Sequence, residues 1–121
     1  MSEVVCVKVK DIRPKYKNLK EWIDDENNVY IGRRGIVFIM NEDGDKERYP
    51  KKDSIWANPF KVSKDLSRDE CIDKYKEYIM YKIKNDPIKY DLKKLIGKTL
   101  GCWCKPEACH GDVLKELCEK L

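Results

Sequence analysis

The order of hydrophobic and polar positions predicts strands and helices in alternation along the first third of the chain. Apolar and polar residues alternate from Val4 to Lys10, which is typical of a half-buried strand. Asn18-Leu19-Lys20-Glu21 has the form of a capping box and predicts a short helix through about Asp25. Val29-Tyr30-Ile31 then predicts a second strand, which ends at Gly32.

Two further segments predict a β-hairpin that follows the second strand. Ile36 to Met40 is apolar and β-branched, a turn follows around Gly44, and Glu47 to Tyr49 is the expected return strand. We therefore expect an inserted hairpin over about residues 36–52, ahead of the segment Trp56-Ala57-Asn58-Pro59-Phe60.

The second half of the chain predicts a strand between helices. Ser67-Arg68-Asp69-Glu70 is a second capping box, and apolar positions at helical spacing continue from it to about Asn85. The segments that follow are a short helix over Asp91 to Ile96, a strand over Lys98 to Trp103, and a helix from about Cys109 to the end. This alternation favours an α/β fold with a small, mostly parallel, Rossmann-like core sheet and flanking helices.

Composition limits what such a fold does. The 121 residues are expected to form one domain, 1–121. The net charge of +4 is too small an excess to indicate a nucleic-acid partner by itself. The sequence shows no signal peptide, and no apolar run approaches the ~20 residues that span a bilayer. We therefore expect no membrane partner and a cytoplasmic protein, or a nuclear one in a eukaryotic cell.

Candidate chemistry concentrates in one short segment, which holds three of the six cysteines and the only histidine. On a strand that reaches Cys104, the side chains of Cys102 and Cys104 point to the same face, and Cys109 and His110 open the next helix. These four side chains are candidate zinc ligands, although the spacing C-x-C-x4-C-H differs from the usual C-x2-C knuckle. Zinc is thus a candidate cofactor, and the cofactor is otherwise unknown.

Nucleophilic catalysis is a second interpretation of the same segment. A thiol at a helix N-terminus has a lowered pKa, and a neighbouring histidine lowers it further. Cys109 is best placed for this role, with His110 or Glu107 as its proton-transfer partner and Cys104 as a resolving thiol.

Anion binding and plain core packing are the remaining interpretations. Free N–H groups from Cys109 to Asp112 would point out of the helix start, and Gly111 would let an anion approach closely. Arg33, Arg34 and Arg68 could complete such a site. Alternatively, the cysteines and the histidine only pack in the core. Whether the chain is an enzyme therefore stays open.

Several motifs in order along the chain resemble the domain of unknown function 4326 family. They are Tyr30-Ile31-Gly32-Arg33, Trp56-Ala57-Asn58-Pro59-Phe60, Arg68 at a helix start, Leu95 to Cys104, Pro106, and Cys109-His110-Gly111-Asp112-Val113-Leu114. The resemblance covers about Val29 to the C-terminus, and the family occurs in bacteria, phages and large DNA viruses. Ala57 stands where the family usually has glycine. The Cys/His ending is also locally similar to the domain of unknown function 488 family.

The resemblance implies a fold and a candidate site but no activity. We expect a site where the second strand, the Asn58-Pro59-Phe60 loop and the Cys/His segment meet, and we expect it to bind or act on a nucleotide or a nucleic-acid-derived substrate. The expected ligand contacts are Tyr30, Gly32, Arg33, Asn58, Arg68, Gly111 and Asp112. The expected catalytic residues are His110, Cys109 and Cys104. The alternative is a metal-stapled module that binds nucleic acid or protein without catalysis. The oligomeric state is open.

Overall fold

A parallel sheet of three strands forms the centre of the fold. This computed structural model describes residues 3–35, 37–40, 42–103 and 109–120. The strands of the sheet are β1 (Glu3–Cys6), β2 (Asn28–Tyr30) and β5 (Thr99–Cys102). The middle strand, β5, is parallel to both of its neighbours. All three carboxyl ends therefore meet at one edge of the sheet, and the predicted parallel core is confirmed.

Helices pack against both faces of this sheet. They are α1 (Val9–Ile12), α2 (Leu19–Asp24), α3 (Arg68–Asn85) and α4 (His110–Glu119), with a single 3₁₀ turn at Leu92–Lys94. Because side chains alternate along a strand, Leu100 and Cys102 of β5 join the core cluster of α3 and α4. Val5 and Tyr30 belong to the other cluster, with α1 and α2. The fold is thus mixed α/β.

Gly101 is required by the close approach of α2 to the middle strand. A Cβ atom at this position would overlap the ring of Trp22 and the side chain of Val7. Both of these residues are buried in the second cluster. The glycine therefore lets a large aromatic ring lie directly on the backbone of β5.

The expected hairpin forms a separate antiparallel pair, β3 (Val37–Met40) with β4 (Lys46–Tyr49). Ile36, where we expected it to begin, lies outside the described residues. Val37 and Tyr49 pack against the cluster of α1 and α2. The side chains of Phe38 and Met40, on the other face of β3, are exposed.

The predicted capping residues Asn18 and Ser67 stand at the starts of two helices, and the full capping box forms at Ser67. The side chain of Asn18 accepts from the N–H of Glu21 at 3.0 Å, and Ser67 and Glu70 exchange both bonds of a capping box. The helix α3 then ends at Asn85, as expected. No helix in the described part of the chain is long and apolar enough to cross a membrane.

Two predicted boundaries were wrong. The first strand was expected to reach Lys10, but β1 ends at Cys6 and Val9 begins a short helix. The N–H of Val7 still donates to the oxygen of Cys102, but beyond it the chain turns, and the N–H groups of Asp11 and Ile12 donate to the oxygen of Lys8 instead of to a strand. The helix expected to reach Ile96 is the single 3₁₀ turn at Leu92–Lys94.

Candidate functional site

A cavity of about 540 Å³ lies at the carboxyl edge of β2 and β5. Its volume is within the range of small-molecule sites, ~300–1,000 Å³. The predicted site residues that line it are Gly32, Arg33, Asn58, Arg68, Cys102, Cys109 and His110. Tyr30, Gly111 and Asp112 are not part of its wall. Cys104 lies outside the described residues, so its predicted role stays untested.

The loop after Trp56 holds the guanidinium of Arg33 at the cavity wall. Nε and Nη2 of Arg33 donate to the main-chain oxygen of Asn58 at 3.0 and 2.7 Å, and Nη2 also donates to the oxygen of Phe60 at 3.2 Å. The loop keeps its shape because Oδ1 of Asn58 accepts from the N–H of Phe60 at 2.9 Å. In the structure, the side-chain oxygen of Asn58 thus positions an arginine-holding loop, whereas we expected Asn58 to contact a ligand.

The side chain of Tyr30 bonds to the segments that follow β2 and β5 at the carboxyl edge of the sheet. Its hydroxyl donates to the main-chain oxygen of Arg33 at 2.6 Å and accepts from Nε1 of Trp103 at 2.8 Å. Burial raises the pKa of this phenol to about 12. Its ring covers Gly32, where a Cβ atom would lie 2.5 Å from the hydroxyl oxygen. Tyr30 therefore supports the site from behind and connects the ends of β2 and β5.

Cys109 and His110 lie together at the start of α4. The side chains of both line the cavity, although only 1% of Cys109 and 8% of His110 are exposed. Nε2 of His110 lies 2.7 Å from the main-chain oxygen of Ile31. Since a carbonyl oxygen only accepts, this bond places the ring hydrogen on Nε2. In the neutral ring, Nδ1 then carries a lone pair 3.8 Å from Sγ of Cys109.

The surroundings of His110 favour its neutral form. Burial is the largest effect, and it lowers the pKa of the imidazole. The bond to Ile31 raises the pKa by less, and the charges of Arg33 and Asp112 then lower and raise it by still smaller amounts. The ring of Tyr75 packs edge-on against it, with centroids 4.9 Å apart. The pair therefore consists of an uncharged base beside a thiol.

The start of α4 is closed by its own capping interactions. Sγ of Cys109 accepts from the N–H of Gly111 at 3.2 Å, and the carboxylate of Asp112 accepts from the N–H of Cys109 at 3.1 Å. A Cβ atom at Gly111 would lie 2.8 Å from both Ile31 and Val4. Close packing of α4 on the sheet is therefore sufficient to explain the glycine, and the predicted approach of a ligand stays a prediction.

The zinc prediction for Cys102, Cys104, Cys109 and His110 stays open. Within residues 3–35, 37–40, 42–103 and 109–120, no group of three or more candidate ligands comes together. Two features fit a metal. The 3.8 Å between Sγ of Cys109 and Nδ1 of His110 is close to the ~3.5 Å expected for two ligands of one tetrahedral zinc. The bond from Nε2 to a carbonyl is also typical of metal-binding histidines.

The sequence did not indicate several residues of the cavity wall as site residues. They are Lys61, Val62, Cys71 and Ile72. Lys61 could have been predicted from the sequence, because it directly follows the Asn58-Pro59-Phe60 segment. Cys71 and Ile72 lie on the first turn of α3, so the helix supplies apolar wall as well as Arg68. Arg34 lines the other side of the loop instead.

Sequence comparison relates the chain to viral proteins without an assigned function. Residues 15–120 match the model of a family described as a domain of unknown function, DUF4326. The chain is 39% identical over 70 residues to an uncharacterized 12.4 kDa protein of Enterobacteria phage T4, covering 56% of this chain and 63% of the phage protein. It is 32% identical over 111 residues to an uncharacterized protein of Acanthamoeba polyphaga mimivirus, covering 85% of this chain and 75% of the mimivirus protein. No solved structure matches.

Proposed function

The chain belongs to the domain of unknown function 4326 family, and for this member we propose that the cavity binds a nucleotide through its phosphate. The observation that carries the proposal is the charge of the cavity wall. Arg33, Lys61 and Arg68 line it, and no carboxylate is found among the described lining residues. Cations that converge on a concave site favour an anionic ligand.

Arg33 is the residue best prepared to hold that phosphate. Its bonds to Asn58 and Phe60 go to uncharged carbonyl oxygens, so they orient the guanidinium without neutralising its charge. A guanidinium that is fixed before the ligand arrives loses little side-chain entropy on binding. Because these carbonyl oxygens take the N–H of Nε and both N–H groups of Nη2, the two N–H groups of Nη1 would be the donors to the phosphate.

The rest of the cavity suits the base and sugar of a nucleotide. The rings of Phe60 and Trp103 are part of the wall and offer surfaces for stacking. The location also agrees with a Rossmann-like arrangement, in which ligands bind beyond the carboxyl ends of parallel strands. Helices on both faces and the cavity at the edge of β2 and β5 support this part of the proposal.

We further propose that Cys109 and His110 form the reactive pair of the site. The thiol proton would move from Sγ of Cys109 to Nδ1 of His110, which gives a thiolate nucleophile and an imidazolium. Burial and the charge of Arg33 disfavour the imidazolium that this transfer would form.

Calorimetric titration with nucleoside monophosphates, the corresponding nucleosides and inorganic phosphate tests the binding. We expect the monophosphates to bind and the nucleosides to bind at least ~10-fold more weakly. The Arg33→Gln variant should bind the monophosphates about as weakly as the original protein binds the nucleosides. The control Arg48→Gln, the same change at an exposed position of β4, should leave the affinity unchanged. Equal binding of nucleoside and nucleotide, or an unaffected Arg33→Gln variant, would overturn the proposal.

Alkylation by iodoacetamide, followed by mass spectrometry, tests the reactive pair. We expect His110→Asn to slow the alkylation of Cys109, because the variant lacks the ring nitrogen that would take the thiol proton. Cys6, which lies on β1 and is not part of the cavity wall, is the internal control. A rate for Cys109 that does not depend on His110 would show that the two residues do not act as a pair.

A further inference from the structure

A second cavity, of about 530 Å³, lies on the other side of the loop that holds Arg33. Arg33, Asn58 and Lys61 line both cavities. The two spaces therefore meet at this loop, and the guanidinium of Arg33 lies at their junction. Nothing in the proposed binding of a single nucleotide uses the second cavity.

The second cavity is also rich in positive charge. Arg34 and Lys89 add to the shared charges of Arg33 and Lys61. Asp53 is the carboxylate found among its described lining residues, and its Oδ1 already accepts from the main-chain N–H of Arg34 at 2.8 Å. An anion that extends from the first cavity past this loop would thus meet further cations.

Aromatic rings connect the two cavities. Phe60 lines the first and Tyr78 lines the second, and their rings pack edge to face with centroids 6.1 Å apart. Tyr90 also lines the second cavity. Cations and aromatic rings that occur together at a binding site are typical of proteins that bind single-stranded nucleic acid, in which bases stack and phosphates lie against basic residues.

We propose that the two cavities bind successive nucleotides of one single-stranded nucleic acid. This inference rests on the proposed function, because the first cavity takes one nucleotide of the strand. The phosphate that links the two nucleotides lies at Arg33 and Lys61, which both cavities share. The neighbouring nucleotide occupies the second cavity, where Arg34 and Lys89 face its phosphate and Tyr78 or Tyr90 faces its base.

Calorimetric titration with 5′-phosphorylated thymidine, its dinucleotide and its tetranucleotide tests this inference. We expect the tetranucleotide to bind about tenfold more tightly than the mononucleotide. Arg34→Gln and Lys89→Gln should each reduce that advantage severalfold. Each should also make the slope of log binding constant against log salt concentration shallower by about 0.7 per lost phosphate contact. Lys10→Gln, an exposed lysine on α1, is the matched control and should change neither. The corresponding ribo-oligonucleotides distinguish DNA from RNA.

The possible outcomes separate this inference from the proposed function. If mononucleotide and tetranucleotide bind equally well and neither Arg34→Gln nor Lys89→Gln lowers tetranucleotide affinity, the second cavity takes no part and the inference is wrong, while the proposed function stands. If no nucleotide binds in either length, both fail. A loss of tetranucleotide affinity in the Lys10→Gln control would also overturn the inference, because binding would then follow overall charge.

Discussion

The guanidinium of Arg33 donates two hydrogen bonds to the main-chain oxygen of Asn58, at 3.0 Å from Nε and 2.7 Å from Nη2. These residues are 25 positions apart, and the whole hairpin lies between them in the sequence. The contact joins the end of β2 to the loop that separates the two cavities. The shape of that loop therefore decides where the positive charge lies.

Asn58→Ala should loosen this loop. The substitution removes the Oδ1 acceptor of the Phe60 N–H but leaves the main-chain oxygen that holds Arg33. We expect a loss of about 1 kcal/mol in the free energy of unfolding, measured by urea denaturation, and weaker nucleotide binding. Asn27→Ala, at an exposed position, is the control. Weaker binding with an unchanged loop, seen by NMR, would instead indicate direct contact between Asn58 and the ligand.

Tyr30→Phe should destabilise the protein, because it removes the hydroxyl that bonds to the main-chain oxygen of Arg33 and to Nε1 of Trp103. We expect a decrease of about 1–3 kcal/mol in the free energy of unfolding at neutral pH. Tyr81→Phe, at an exposed tyrosine on α3, should change it little. A Tyr30→Phe variant as stable as the original protein would show that water replaces the hydroxyl.

The raised pKa of Tyr30 has its own consequence at high pH. The value of about 12 exceeds the ordinary value of 10.0, so the stability contribution is fully present below about pH 10 and is lost as the pH rises through 12. Alkaline unfolding curves measure this loss. The Tyr30→Phe variant should lose less stability between about pH 10 and 12 than the original protein, because it has no phenol to ionise at this position.

The lowered pKa of His110 predicts a loss of stability on mild acidification. Its folded pKa lies below the ordinary value of 6.5, so the contribution is present above pH 6.5 and is lost as the pH falls towards the folded value. The facing groups are Arg33, Asp112, Cys109 and Tyr75. Because the chain has one histidine, NMR titration of the metal-free protein reports its pKa without assignment. A measured pKa at or above 6.5 would contradict the buried, neutral ring.

Gly111→Ala tests whether packing or ligand approach explains this glycine. A new methyl group would meet Cδ1 of Ile31, so we expect a loss of about 1–3 kcal/mol in the free energy of unfolding. Ile31→Val removes that carbon at a cost of about 0.5–1.5 kcal/mol alone, and it should restore part of the stability in the double variant. Unchanged stability combined with lost nucleotide affinity would favour the ligand explanation instead.

Metal analysis tests the zinc prediction. If Cys104 completes a site with Cys109 and His110, protein purified without chelator should hold about one equivalent of zinc and fewer than six titratable thiols. Cys104→Ser should then lose the metal, while Cys71→Ser, a change at a buried cysteine on α3, should keep it. Six titratable thiols and no zinc would contradict the prediction.

The features that the sequence predicted well depend on residues near one another in the chain. The capping box of Ser67 and Glu70 fixes the start of α3, and the strand predicted over Lys98 to Trp103 is β5. The hairpin and the parallel sheet followed from the order of such elements. Each of these signals lies within a few residues, where backbone geometry alone decides which side chains meet.

Only the tertiary structure decided what the site residues do. His110 bonds to the oxygen of Ile31 across 79 positions, and a Cβ atom at Gly111 would meet Ile31 and Val4 where α4 packs on the sheet. Asn58 holds a loop and an arginine, although its position by itself suggested a ligand contact. The sequence by itself determined the order of the main elements, apart from the short helix α1, and the residue types that gather at one edge of the sheet. Which of those side chains face the cavity depends on packing between segments far apart in the chain, and local patterns carry no information about that packing.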